Sequence, residues 1–319
     1  MRQAQIEKLI HPQHIMNDVI KDIEQSYPDE IAKAVKVIRK WCDVVEWESK
    51  NLRKEFIRVN DLYALVAKLL AKITMYAPNG KPMTLISVAS MCHIAGMEKL
   101  NSIKTVCELI ALLEPLGLYS LERNSDKTVM IESLILPDEA IETRLNLYCY
   151  MPPMVERPDV LENNKSCGYK TIKADSLILG HQENYHEGCI SLDVLNRLNR
   201  NQYELDNEFI NTFNKQWHRK EQTPDELRQT FELAQIDEPY LTYEEHVMRY
   251  EQDKINFTTY QEQFEVLKNQ LIGKEIYITN KVDKRGRIYA QGFHFSTMGS
   301  SFEKACLNLA KKELINGEL

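Results

Sequence analysis

The segment Asp283-Lys284-Arg285-Gly286-Arg287-Ile288-Tyr289-Ala290 governs how the C-terminal part of this chain folds. Residues 275–279 (Glu-Ile-Tyr-Ile-Thr) and 287–290 (Arg-Ile-Tyr-Ala) alternate apolar and polar side chains, the period of a half-buried strand. Residues 282–286 between them make a turn, so the pattern predicts a hairpin. Gly286 can adopt backbone angles closed to other residues and lets the main chain come close to another molecule. Arg285 and Arg287 lie two apart, hence on one face if the strand begins there. A guanidinium is a planar fork matched to phosphate, so the hairpin is a candidate clamp for a nucleic-acid backbone. Arg-Gly-Arg alone is weak evidence, since most such turns are merely charged.

The surroundings sharpen the contrast. Residues 268–287 hold six bases and two acids, whereas residues 221–265 hold twelve acids and three bases. The whole chain, 319 residues with 40 Lys and Arg against 47 Asp and Glu, carries a net charge of −7. That excludes binding of nucleic acid through bulk basicity but leaves room for a local basic site. The length fits two modest domains, and 43% hydrophobic residues can build a core. No run of apolar residues is long enough to span a bilayer, and the first 30 residues have no signal-peptide pattern. Seven scattered cysteines are read as reduced thiols of a cytosolic protein.

Upstream, the pattern is mostly helical. Ile31, Val35, Ile38, Cys42 and Val45 recur at helical spacing, as do Leu62, Leu65, Val66, Leu69 and Ile73. Residues 81–136 read as helix (84–94), turn (95–97), helix (98–113) and hairpin (118–135), the order of a winged helix. The second helix offers only Lys99 and Lys104 as bases, which weakens a groove-reading role. Cys167, His181, His186 and Cys189 occur in one irregular stretch, but without the close ligand pairs of a zinc knuckle they are read as unpaired loop residues, as are His11 and His14. A helical face is expected through Leu195, Leu198, Tyr203, Leu205, Phe209, Ile210 and Phe213. Thr223-Pro224 opens an acidic helical region whose stripe Tyr260, Phe264, Leu267 and Leu271 ends before Gly273. Residues 300–312 predict a short last helix. The fold class expected is mainly α with small β hairpins, α+β.

The segment 283–290 resembles the D-x-x-G-R-x-Y-A motif that begins the palm of phage and mitochondrial single-subunit RNA polymerases. Lys304 and Leu307-Asn308-Leu309-Ala310-Lys311 are similar to the leucine-rich helix that follows in that family. More faintly, residues 102–121, the hairpin and Pro137-Asp138-Glu139 resemble part of its N-terminal domain. Met151-Pro152-Pro153-Met154 with Gly168-Tyr169 looks like its proline-rich run before a glycine–tyrosine turn, and residues 203–214 like the helix after it. The resemblance covers residues from about 100 to 319. It implies an N-terminal domain (1–222, hairpin at 118–135), thumb-like helices (223–272) and the start of a palm (273–319).

In the family, the metal-binding aspartates, the nucleotide-binding lysine and the sugar-selecting tyrosine all lie C-terminal to this point. The resemblance therefore implies no catalytic residue and no metal ligand in this chain, with Mg2+ held by a second subunit that carries palm and fingers. Such a division resembles the heterodimeric RNA polymerases of N-four-like phages, and a natural split is expected, with the host cytoplasm as location. Arg287 is expected to contact template or transcript backbone, Arg285 to add a phosphate contact and Asp283 to orient an arginine or brace the turn. Gly286 would allow close approach, Tyr289 would stack near the template, and Lys304 would touch backbone. The palm's Ile276, Ile278, Ile288, Phe293, Leu307 and Leu309 are expected to need a partner's sheet to cover them. The hairpin tip Asn124-Ser125-Asp126 is short and polar, unlike an apolar wedge, so promoter opening is expected to fall to an accessory factor or to single-stranded template. No membrane association is expected. The alternatives are a winged-helix DNA-binding regulator and a helical adaptor protein.

Overall fold

A computed structural model of the chain describes residues 2–124, 127–147, 151–173, 176–179, 189–213, 222–292 and 294–311. It is α+β and mainly helical, with small sheets of two or three strands. Two compact units form: a middle unit, Gln13–Leu145, and a discontinuous unit made of Met1–Pro12 and Asn146–Leu319. The family-based boundaries at residues 222 and 272 both fall inside the discontinuous unit. Among the described residues no helix is long and apolar enough to cross a membrane.

The first helix, α1 (Gln3–Ile10), joins the discontinuous unit through a buried carboxylate. Glu7 accepts hydrogen bonds from the backbone of Lys170 (3.0 Å) and Thr171 (2.6 Å), the Thr171 hydroxyl (2.6 Å) and the Gln3 amide (2.8 Å). Gln3 in turn accepts from the Val155 backbone at 2.8 Å. These bonds satisfy polar groups that would otherwise be costly to bury.

The middle unit contains α2 (Pro12–Ser26), α3 (Pro28–Asp43), α4 (Glu48–Arg58) and α5 (Leu62–Tyr76). Pro28 sits in the first turn of α3, where its missing N–H costs nothing. Helix α3 stops at Asp43, so Val45 does not extend the apolar stripe but stands exposed beyond it. Helix α5 is apolar on most of its circumference and lies against α3. After it come β1 (Met83–Thr84), α6 (Leu85–Met91), α7 (Lys99–Leu113), β2 (Tyr119–Arg123), β3 (Val129–Ser133) and α8 (Glu139–Leu147). The sheet order is β1-β3-β2, so α5 through β3 has the winged-helix arrangement. Of the hairpin tip, Ser125 and Asp126 lie outside the described residues.

The discontinuous unit continues with β4 (Ile178–Leu179), α9 (Leu192–Leu198), β5 (Tyr203–Leu205), α10 (Asn207–Thr212), α11 (Pro224–Asp237) and α12 (Tyr243–Leu271). It closes with β6 (Asn280–Asp283), β7 (Ile288–Ala290), α13 (Ser301–Ala305) and β8 (Leu307–Leu309). The stripe Tyr260, Phe264, Leu267 and Leu271 of α12 is buried in a core shared with Ile6, Ile10, Leu205, Ile276 and Phe295. Helix α11 starts with a reciprocal cap in which Thr223 and Glu226 satisfy each other's backbone N–H groups.

Three expected elements differ. Residues 203–205 form a strand rather than a helical face, because they pair antiparallel with β8. The last helix ends at Ala305; Leu307 and Leu309 alternate around Asn308 with period two and pair with Leu205 and Tyr203. Residues 275–279 make no continuous ladder: Ile276 bridges to Tyr203 and Tyr277 to Met154, and the strand proper begins at Asn280.

Coverage of the expected apolar palm face is also corrected. Ile276 and Ile278 are fully buried by this chain alone, since α12, β5 and the residues around Phe295 and Cys306 already close over Ile276. Ile288 and Leu307 are half-buried and Leu309 exposed, while Phe293 lies outside the described residues. The start of this region therefore needs no second sheet to complete its core. Glu7→Ala, which strands the buried Gln3 amide and the part-buried donors of Lys170 and Thr171, is expected to destabilise the protein by about 3 kcal/mol, read as a lower midpoint in urea unfolding, with Glu7→Gln intermediate.

Candidate nucleic-acid interface

Strands β6 and β7 pair antiparallel with Asn280 opposite Ala290, Lys281 opposite Tyr289 and Val282 opposite Ile288; β4 adds a parallel edge to β6. The turn is closed by Gly286 N–H donating to the Asp283 carbonyl (2.9 Å) and Asp283 N–H donating to the Arg287 carbonyl (2.8 Å). Gly286 has φ +79° in open space, so backbone conformation rather than crowding selects glycine here.

Asp283 is the hub. One carboxylate oxygen, Oδ1, accepts from the backbone N–H groups of Arg285 and Arg287, both at 2.9 Å. The other, Oδ2, accepts from Arg287 Nε at 2.7 Å, from Arg285 Nε at 3.4 Å and from the Tyr289 hydroxyl at 3.3 Å. The Asp283 side chain is 15% exposed, whereas those of Arg287 and Arg285 are 54% and 70% exposed. The Arg287 guanidinium also lies 5.6 Å from the Tyr289 ring centroid, within cation–π range. Asp283 thus holds both arginines at the outer edge of one turn, with Nε of Arg287 taken up by its carboxylate.

Desolvation alone would raise the Asp283 carboxyl, but the Arg287 backbone N–H, its guanidinium and the Tyr289 hydroxyl outweigh it and hold the pKa below the usual aspartate value. The same contact pushes Arg287 upward. Lys304 is exposed on α13, and among the described residues no hydrogen bond or ion pair joins it to Asp283, Arg285 or Arg287.

Three distant segments meet at the base of the hairpin. Met154 exchanges two backbone hydrogen bonds with Tyr277, at 2.8 and 2.7 Å. The Tyr169 hydroxyl donates to the Pro152 carbonyl (2.6 Å) and lies 3.4 Å from the Thr279 hydroxyl. A Cβ at Gly168 would come within 3.0 Å of Pro158 and 3.1 Å of Thr279, so glycine permits this approach. Asn199, which carried no sequence signal, accepts from both the backbone and the side chain of Asn280 (2.9 and 3.0 Å). Val282 is packed with Leu161, Leu177 and Leu195. The proline-rich run, the Gly168-Tyr169 turn and the motif itself are therefore neighbours in space.

The residues at the hairpin do not fit a magnesium site. Its one carboxylate has both oxygens engaged by N–H donors and two guanidinium groups, a surrounding that repels a dication. Among the described residues no group of three or more His, Cys, Asp or Glu gathers as a metal cluster; His181 and His186 lie outside them.

No protein-family model matches this chain, and no curated protein matches it.

Asp283→Asn is expected to loosen the turn and release both arginines. A carboxylate with a lowered pKa contributes stability that is complete above its unfolded value and is lost as pH falls through the folded value. The gap in Tm between wild type and Asp283→Asn should be constant from about pH 6 to pH 8 and shrink below about pH 4. A gap that widens on acidification would contradict the assigned sign.

Proposed function

We propose that this chain is the subunit of a split DNA-directed RNA polymerase that holds template and RNA–DNA hybrid, while a partner subunit carries palm, fingers and the two-metal nucleotidyl-transfer site. The observation that carries the reading is the Asp283 hub, which aims two arginines outward from a D-x-x-G-R-x-Y-A hairpin. Its support includes the neighbourhood of Met154, Gly168 and Tyr169, the other segments with a polymerase resemblance, at the base of that hairpin.

In this scheme Arg287 grips a phosphate through its terminal donors, with Nε anchored so that little side-chain entropy is lost on binding. Arg285 is the auxiliary contact. Tyr289, half-buried and tied to Asp283, braces Arg287, which limits how freely its ring can stack on a base. Gly286 keeps the turn low. Lys304 contributes an independent backbone contact, and Mg2+ belongs to the partner. Because Ile276 and Ile278 are covered within this chain, the partner binds a folded surface, and the isolated chain should be monodisperse rather than dependent on coexpression. Promoter opening falls to an accessory factor or to single-stranded template, in the cytoplasm of an infected bacterial host.

The winged-helix regulator is disfavoured by a specific contact. Arg53 on α4 donates to Thr105 (2.9 Å) and Glu108 (2.7 Å) of α7, so α4 covers one side of the helix that would have to enter a DNA groove. The positions of α7 left exposed include Leu100, Asn101 and Lys104 but no arginine.

Arg287→Ala in the reconstituted pair should reduce RNA extension by about 10- to 100-fold, the worth of one charge-assisted hydrogen-bonded contact. The two subunits should still co-elute in gel filtration. Extension at the wild-type rate would refute the assignment.

A further inference from the structure

The middle unit carries a second concentration of positive charge. Residues 31–42 of α3 contain Lys33, Lys36, Arg39 and Lys40 and no acid, within a chain of net charge −7. Lys33 is paired with Glu30 at 3.9 Å. Lys36 and Arg39, three apart and so on neighbouring positions of one helical face, both line a groove of about 670 Å³ between α3, the end of α4 and the start of α5. They are exposed, and among the described residues no ion pair engages either.

Across the groove stands Arg58, its Nη2 held at 2.5 Å by the Cys42 carbonyl and 3.5 Å from Asp43. The groove's two acids are already occupied. Asp43 faces Arg58, and Asp61 caps α5 by accepting from the backbone N–H groups of Tyr63 (3.0 Å) and Ala64 (3.2 Å). Apart from Asn60 the remaining wall is apolar, with Val35 and Leu62, and is closed by the partly exposed ring of Tyr63. Two cations that no ion pair engages among the described residues, a third held in place, an aliphatic wall and an available aromatic ring therefore share one concave surface.

We infer that this groove binds a single-stranded nucleic acid, with Lys36, Arg39 and Arg58 on its phosphates and Tyr63 stacked on a base. The chemistry selects this ligand. Arginine forks suit phosphate, and a flat base is the natural partner of an exposed tyrosine beside an aliphatic wall. A duplex keeps its bases stacked inside and cannot insert one. An acidic peptide would satisfy the cations but bring no flat ring for Tyr63. The site belongs to the middle unit and stands apart from the proposed role of the Asp283 hairpin.

Fluorescence anisotropy of the full chain with labelled oligonucleotides of roughly 12 nucleotides, single-stranded RNA, single-stranded DNA and duplex, tests it. The Lys36→Ala/Arg39→Ala variant should bind single strands at least about tenfold more weakly, and its slope of log K against log salt should be smaller by about 1.4. Tyr63→Ala should weaken binding by about 5- to 100-fold with the salt slope unchanged, as loss of one stacked base requires. Lys21→Ala, an exposed charge on α2, should leave affinity within about twofold of wild type. The same losses should appear when Arg285 and Arg287 are both alanine, which separates this groove from the hairpin. Wild-type affinity in the Lys36/Arg39 and Tyr63 variants, or equal loss with Lys21→Ala, overturns the inference. Displacement of the oligonucleotide by polyglutamate as efficient as by unlabelled single strand also overturns it and assigns the groove to an acidic protein.

Discussion

A single carboxylate organises the most chemically distinctive surface of this chain. Both oxygens of Asp283 are committed: one to two backbone N–H groups that shape the turn, the other to two guanidinium groups and a phenol. Without it, Arg285 and Arg287 would repel each other across a glycine turn with no enthalpic reason to stay together. With it, they form a preorganised cationic edge whose charge is only partly compensated. Preorganisation matters because each flexible arginine otherwise loses rotamer freedom on gripping a phosphate.

That edge is useful only if its base is rigid. Rigidity comes from segments far apart in sequence: Asn199 on Asn280, Met154 on Tyr277, Tyr169 and Gly168 on Thr279, and the Leu161 cluster under Val282. The N-terminal helix belongs to the same construction, since Glu7 binds the backbone just after Tyr169 and Gln3 binds that just after Met154. A local turn thus inherits its stability from long-range packing, while Asp283 tethers its exposed arginines.

Much of this was legible in sequence, and the misses have physical causes. The helical stripe from Ile31 to Cys42, the helix start at Thr223-Pro224, the buried stripe of α12 and the winged-helix order in the middle unit follow from local rules of capping and periodicity. Residues 203–205 and 307–309 differ from the expected helices because a strand three residues long has too little period to be distinguished from a helix turn until its partner, about a hundred residues away, is known. The burial of Ile276 and Ile278 was missed for the same reason: what covers an apolar side chain is a tertiary fact. Asp283 as a brace is an expectation that only the family resemblance supplied, whereas Asn199 and Glu7 carried no local signal at all. The groove beside α3 was hidden because its charges come from two helices and its acids are neutralised by a cap and an ion pair that only the fold creates.

The proposed function requires that the Asp283 hairpin lie against a growing transcript when the chain is joined to the proposed partner subunit. Lys284 is exposed at the tip of that turn, so a photoreactive amino acid placed there reports its neighbour directly. In a stalled elongation complex assembled from both subunits, template and labelled RNA, irradiation should join the chain to nucleic acid within the hybrid, and Asp283→Asn should diminish the crosslink. Crosslinking only to solvent-exposed protein, or a yield unaffected by whether template and RNA are present, would contradict the account.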